Sequence, residues 1–383
     1  MAADTSPNGA AYLDHAATTP LRPEAAAAMS EWLGGRFGNP SGAHASARAA
    51  RAAVDQAREV LAGALGADPA EVVFTSGGTE ADNMAVFGAV RARGGLAVCS
   101  AVEHDAVLNP TLASGGTTVP VGPDGIVDLA RLESALSDDV AVVSVMLANN
   151  ETGVVQPLAE VADVVRRRAP RAVVHTDAVQ AFCWLDVAGL AASADTVAIS
   201  GHKFGGPQGV GALLVRGGTK LVPLTLGGGQ ERERRPGTHN VAGIVGLAAA
   251  ARAAVETRRQ TVQRVSALRD RLADGLLAAV PGAVETGARS DKVAGACHLR
   301  FPGVESEELL FLLDAEGIAA SAGSACASGA TEPSHVLTAM GLTPQEARGA
   351  IRFSLGWCST DADVDAALRV VPRAVARLGV VRA

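Results

Sequence analysis

Between residues 71 and 215, short runs rich in valine and isoleucine alternate with longer stretches of alanine, leucine and arginine that carry a helical period. The runs at 71–74, 96–99, 117–120, 140–147, 171–175, 195–199 and 210–215 predict strands. Strands separated by helices cannot pair through tight hairpins, so they form βαβ units and a largely parallel sheet with helices on both faces. The expected class is therefore α/β. A helical stretch from about 240 to 280 ends near Pro281-Gly282, and the strands expected near 296–301 and 350–355 suit a smaller α+β unit. A chain of 383 residues is long enough for two cores. The expected division is a large domain over 16–258 and a small domain formed by 1–15 with 259–383.

Apolar residues make up 48% of the chain but aromatics only 3%, so the core must be built of alanine, valine and leucine, as helix-on-sheet layers allow. A net charge of −7 argues against a general nucleic-acid or membrane-surface binder. Arg166-Arg167-Arg168 reads as a solvated helix end. No apolar run reaches the roughly 18 residues needed to cross a bilayer, and Met1–Ala11 has no leader pattern, so a cytoplasmic location is expected. The cysteines at 99, 183, 297, 326 and 358 are odd in number and form no CxxC pair, which signals neither a disulfide framework nor a metal site. Cys99 and Cys297 lie in apolar runs and read as packing residues. Cys326 lies in Ser321-Ala-Gly-Ser-Ala-Cys-Ala-Ser-Gly329, where no bulky side chain holds it in a core, and a mobile loop is expected there.

In sheets of this kind ligands bind beyond the carboxyl ends of the strands. The polar clusters fall there: Thr75–Glu80, Glu103-His104, Asn149-Asn150-Glu151, His175–Asp177 and Ser200–Lys203 each follow an expected strand. Only three lysines occur, at 203, 220 and 292, the other basic charge being arginine. An ammonium can form an imine and a guanidinium cannot, so Lys203 is either a Schiff-base lysine or a stray surface cation. Thr75-Ser-Gly-Gly-Thr-Glu-Ala-Asp-Asn83 places two glycines and hydroxyls before a helix N-terminus, which suits a phosphate or else a capped helix start. Asp177 is a carboxylate at a strand end, or another helix cap. A phosphate cradle, an acid for a pyridinium nitrogen and an amine for an imine are what pyridoxal phosphate requires.

The motifs that carry these residues resemble, in order, those of the cysteine desulfurases of the NifS/IscS type, fold-type I pyridoxal phosphate enzymes of the class V aminotransferase family. They are Tyr12-Leu-Asp-His-Ala-Ala-Thr-Thr-Pro20, Gly38-Asn-Pro-Ser41 with His44, residues 75–83, Glu103-His104, Asn149-Asn-Glu-Thr-Gly153, His175-Thr-Asp-Ala-Val-Gln180, Ser200–Gly209, Gly227–Arg232 with Gly237-Thr238, Ser324-Ala-Cys326 and Ile351-Arg-Phe-Ser-Leu355. The resemblance implies a large domain with a mostly parallel seven-stranded sheet. It implies that Lys203 carries the cofactor, that Asp177 keeps the ring nitrogen protonated and that His104 stacks on the ring. Asn150 and Gln180 are expected near the ring hydroxyl. Gly78, Thr79, Ser200 and His202 are expected at the phosphate, with Thr238 reaching it from the second subunit of a homodimer. Arg352, with Asn150, is expected to bind the carboxylate of L-cysteine, and Cys326 to accept its sulfur for transfer to scaffold proteins of iron–sulfur cluster assembly or to thiolation enzymes. A selenocysteine lyase or an aminotransferase on the same scaffold, or a silent scaffold that binds sulfur acceptors, are the alternatives. His15, His44, His175, His239, His298 and His335 read as structural or supporting residues. No motif supports Cys183 or Cys358. Arg232, Arg234 and Arg235 read as a partner-facing patch or as a loop salt-bridge network.

Overall fold

A computed structural model describes residues 10–323 and 333–381. Twelve strands occur among them: β1 (Ala11–Tyr12), β2 (Val72–Thr75), β3 (Leu96–Ser100), β4 (Thr117–Val119), β5 (Val140–Ser144), β6 (Val173–Asp177), β7 (Thr196–Ser200), β8 (Gly211–Val215), β9 (Val284–Glu285), β10 (Ala296–Arg300), β11 (Ile318–Ala319) and β12 (Ala350–Ser354). Strands β2 to β8 form one sheet in the order β2-β8-β7-β6-β5-β3-β4. All neighbours pair in parallel except β8, which runs antiparallel to both β2 and β7.

Each strand expected in this region is present, with its ends moved by a few residues. The run expected to reach 147 leaves the regular ladder after Ser144, although Val145 and Leu147 still donate to the carbonyls of His175 and Asp177. The run expected at 171–175 instead spans Val173–Asp177, because its polar end residues are buried between two neighbouring strands.

The valine-rich runs are apolar on both sides because both faces are covered. Val72, Phe74, Val143 and Leu214 face a core shared with the helices Ala45–Leu65 and Leu158–Arg168. Val73, Ala198, Leu213 and Val215 face the helix Gly78–Arg93, whose Ala81 and Ala85, four residues apart, let it approach the sheet closely. Cys99 is buried on this side and Cys297 in the second core, as their apolar surroundings suggest.

The helix Val241–Ala279 joins the two cores. Ile244, Leu247 and Ala251 pack in the sheet core, whereas Val265, Leu268, Leu272 and Leu276 pack with Cys297, Leu299, Ile351 and Phe353 of β10 and β12. Strands β12, β10 and β9 form a small antiparallel sheet, and β1 pairs with β11. An isolated bridge from Asp14 to Ser354 brings the chain after β1 to the edge of β12. That contact carries residues 14–19 across the carboxyl ends of the large sheet. Among the described residues no helix is long and apolar enough to cross a membrane.

Candidate active site

Asp177 and Ser200 end β6 and β7, Lys203 follows β7 by three residues, and Gly77-Gly78, His104 and Asn150 follow β2, β3 and β5. Arg352, from the middle of β12, closes the opposite side. All of these but Gly77 enclose a cavity of about 430 Å³, lined also by Thr79, Asp82, Gln180, His202 and Gly323. Every site residue expected from the sequence lines it except Thr238 and Cys326. Thr238 is exposed on this chain, and Cys326 lies outside the described residues.

One end of the cavity is built for an anion. The helix Gly78–Arg93 starts without a side-chain cap, so its first N–H groups stay available and its dipole points positive charge outward. Gly77 has φ 156°, and a Cβ on Gly78 would come within 2.8 Å of Val179 Cγ2. Backbone therefore lines a space of about 320 Å³ with Thr79, Ser200 and His202. His202 bonds Thr18 Oγ1 through Nδ1 at 3.2 Å, and burial, with Lys203 adding to it, lowers its pKa to about 4. The ring is neutral at pH 7. The nearby carboxylate of Glu80 is occupied by Arg235 Nε at 2.9 Å and by the Ser76 N–H at 2.6 Å.

Asp177 lies at the buried end. Burial first, and Asp82 second, raise its carboxyl to about 7, against His104, the Val179 N–H at 2.8 Å and His175. Asp82 accompanies it on the helix Gly78–Arg93, 3.2 Å from His175 Nε2, while His175 Nδ1 bonds Thr196 Oγ1 at 2.9 Å. Burial lowers His175 to about 4 and pushes Asp82 well above the usual range. Glu103 is raised in the same way, by burial and then by Asp177. A carboxyl held this high in an apolar setting is stabilised as an anion when a cation is set against it.

Lys203 Nζ donates to the carbonyls of Ala16 and Ala17 at 2.6 and 2.9 Å, and Gln180 Nε2 to Ala16 at 2.8 Å. His104 Nδ1 accepts the Ala106 N–H at 3.0 Å and so starts the helix Asp105–Ala113, which leaves the ring proton on Nε2 in the neutral form. Arg352 is 4% exposed, its Nη1 bonded to Asn150 O at 3.0 Å and its Nη2 to Asp14 Oδ1 at 2.8 Å. Its buried Nε and the buried Asn150 Oδ1 have no hydrogen-bond partner. Two orphaned polar groups on residues that line a cavity of this size leave hydrogen-bonding capacity beside it.

The segment before Thr238 is held from beneath. Glu231 is paired with Arg58 through both oxygens, at 2.6 and 2.8 Å, and accepts from Phe74 N and His239 Nε2. Glu231, Arg232 and Glu233 all have positive φ, of 47°, 55° and 64°. Of the three arginines of this segment, Arg235 forms a loop salt bridge with Glu80, Arg232 is exposed and Arg234 is half-buried. Sequence reasoning missed Asp14, Arg58, Asp82 and Glu231 as supports. Asp14 and Asp82 sit inside motifs that it did single out, but their partners are more than 90 residues away.

Residues 11–367 match the class-V aminotransferase family. The IscS-like cysteine desulfurase of Mycobacterium tuberculosis is 47% identical over 382 residues, which span 96% of this chain and 96% of that protein. The cysteine desulfurase NifS of Azotobacter vinelandii is 43% identical over 377 residues, 96% of this chain and 93% of that one. Among solved structures, a NifS-like protein matches with a TM-score of 0.89 at 34% identity, covering 96% of this chain and all 100% of the other. The NifS-like protein from Rickettsia africae matches with 0.85 at 30% identity, covering 95% and 98%. The chain belongs to the class-V aminotransferase family. Within it, the relatives that match over nearly the whole length are pyridoxal phosphate enzymes of the NifS and IscS type.

Proposed function

We propose that the protein is a cysteine desulfurase that converts L-cysteine to L-alanine and leaves the sulfur as a persulfide on Cys326. The observation that carries this reading is the convergence of Lys203, Asp177 and an uncapped helix N-terminus on one cavity closed by Arg352. Pyridoxal phosphate, when bound there, supplies an electron sink for the α-carbon of the substrate.

Lys203 would tether the cofactor, and its free Nζ would remove the α-proton. The backbone at Gly78, with Thr79, Ser200 and the neutral N–H of His202, holds the phosphate. Asp177 keeps a proton on the ring nitrogen, the cation it needs to stay ionised. His104 would cover the ring, and Asn150 and Gln180 would bond its hydroxyl. Arg352 receives the substrate carboxylate in a planar bidentate contact, a geometry a lysine could not offer. The thiolate of Cys326 then forms an S–S bond as the substrate's Cβ–S bond breaks; the electron pair left on Cβ takes a proton, and Lys203 Nζ returns a proton to Cα, giving alanine. Sulfur-acceptor proteins consume the persulfide, scaffold proteins of iron–sulfur assembly or thiolation enzymes among them. Thr238, exposed on its own chain, reaches the phosphate site of a second copy, so the active unit is a homodimer. The two cores that share one helix support a large domain over 16–258 and a small one over 1–15 and 259–383.

The test is Cys326→Ser. The variant should bind pyridoxal phosphate and still change its absorbance with L-cysteine, yet form almost no alanine or sulfide. Alanine at near the wild-type rate would instead favour a lyase or an aminotransferase.

A further inference from the structure

The stretch that carries Cys326 meets the described structure at Gly323 and at Pro333-Ser334, and both flanks close on one carboxylate. Ser334 starts the helix His335–Ala339. Its Oγ accepts the N–H groups of Val336 and Leu337 at 3.1 and 3.3 Å and donates to Glu151 Oε2 at 2.6 Å. Gly323 lies against the same oxygen: a Cβ there would stand 2.8 Å from Oε2, at a φ of +90° that side chains rarely adopt.

Glu151 is 3% exposed, and burial raises its carboxyl above the usual range, against the Ser334 hydrogen bond and the charges of His335 and Arg352. Burying a carboxylate is costly, and capping a five-residue helix does not require one, because the Ser334 hydroxyl alone meets the backbone donors. What Glu151 adds is an oxygen that Ser334 bonds and beside which Gly323 packs too closely to admit a side chain. The turn that bears it is fixed. Asn149 Oδ1 accepts from Glu151 N, Thr152 N and Thr152 Oγ1 at 2.9, 2.9 and 3.1 Å. The same turn holds Arg352 through the Asn150 carbonyl, and the Arg352 backbone pairs in both directions with Ser321, at 2.7 and 3.2 Å.

We propose that Glu151 is a positioning residue for sulfur transfer: it bonds the Ser334 flank of the Cys326 segment, with Gly323 of the other flank packed beside the same oxygen, to the turn that holds Arg352, and so sets how often the thiol meets the substrate sulfur. The inference rests on Cys326 being the sulfur acceptor. Holding a flank of a segment raises the effective concentration of a group that the segment carries. With Ser334 released, the next hold on that side is His335 Nε2 on the Glu103 carbonyl at 2.9 Å, so the loss is limited. About a tenfold slowing is expected.

The test uses the cofactor-loaded protein with L-cysteine and two readouts. Stopped-flow absorbance reports engagement of the substrate by the cofactor, and quenched single turnovers report alanine. Glu151→Ala and Ser334→Ala should each leave the absorbance phase within about twofold and slow alanine formation about tenfold, and the double variant should be no slower than either single one. Glu151→Gln keeps an acceptor for the Ser334 hydroxyl and should recover alanine formation to within about threefold of wild type. Alanine at the wild-type rate in either alanine variant, equal slowing of both readouts, or independent multiplying effects would overturn the assignment. Ser334→Ala decides alone if Glu151→Ala does not fold. Alanine production by Cys326→Ser, with Glu151 intact, would instead remove the reading on which the inference stands.

Discussion

Replacing Glu231 with glutamine tests whether a buried ion pair holds the segment that leads to Thr238. The Glu231 side chain is 1% exposed and that of Arg58 9%, so neither charge has water to fall back on. Burial by itself would raise the Glu231 carboxyl from the ordinary 4.5, but hydrogen bonds from Arg58 and His239, the Arg58 charge and the Phe74 N–H outweigh it and bring it to about 2. At 1.36 kcal/mol for each tenfold change in proton affinity, that difference amounts to about 3 kcal/mol. It also offsets three successive residues in the left-handed region, which cost on the order of 1 kcal/mol each. The variant leaves Arg58 buried without its counter-charge, a loss of about 3–5 kcal/mol. The sign with pH follows from the lowered carboxyl: its stabilisation is complete above about 4.5 and is lost as the pH falls toward about 2. Urea unfolding of the cofactor-loaded protein should therefore show a gap of about 3 kcal/mol between wild type and Glu231→Gln at pH 7, narrowing steadily below pH 4.5. Arg235 ties this segment to Glu80 at the anion cradle, so the variant should also release cofactor faster. A gap below about 0.5 kcal/mol at pH 7, or one that stays constant in acid, would refute the argument.

Borohydride reduction of the cofactor-loaded protein should label Lys203 and neither Lys220, which is exposed, nor Lys292, which is buried on Glu285; Lys203→Ala should abolish turnover, and peptide mapping checks the site. Gly78→Ala should weaken cofactor binding about tenfold by absorbance titration, because its Cβ meets Val179, and the added change Val179→Ala should restore it. Asp177→Asn should raise the melting temperature of the cofactor-free protein at pH 8 and leave it unchanged near pH 4, while abolishing turnover. The raised carboxyl is destabilising only where it must ionise, so the penalty grows as the pH climbs from 3.8 through about 7. Thr238→Ala should weaken cofactor binding about ten- to hundredfold if a partner chain supplies that contact, and sedimentation should give a dimer.

The strands were legible because their signal is local. Valine-rich runs covered on both faces carry their own pattern, so all seven strands of the sheet and the long helix appear where the residues predict them. The two-residue strands β1 and β11 were not legible, since two residues have no periodicity and are held only by each other and by their surroundings. The same division runs through the site. The candidate residues at or just after strand ends, such as Asp177, Ser200 and Lys203, were located by motif and by the rule for carboxyl ends of parallel strands, and they line the cavity. Their supports were not: Asp14 meets Arg352 across 338 positions, Arg58 meets Glu231 across 173, and Glu151 meets Ser334 across 183. The chain itself determined which chemical groups stand at the ends of which strands. The tertiary structure decided which of them are buried, which are paired and therefore which are charged, because desolvation and ion pairing depend on distance in space and leave no period in the sequence.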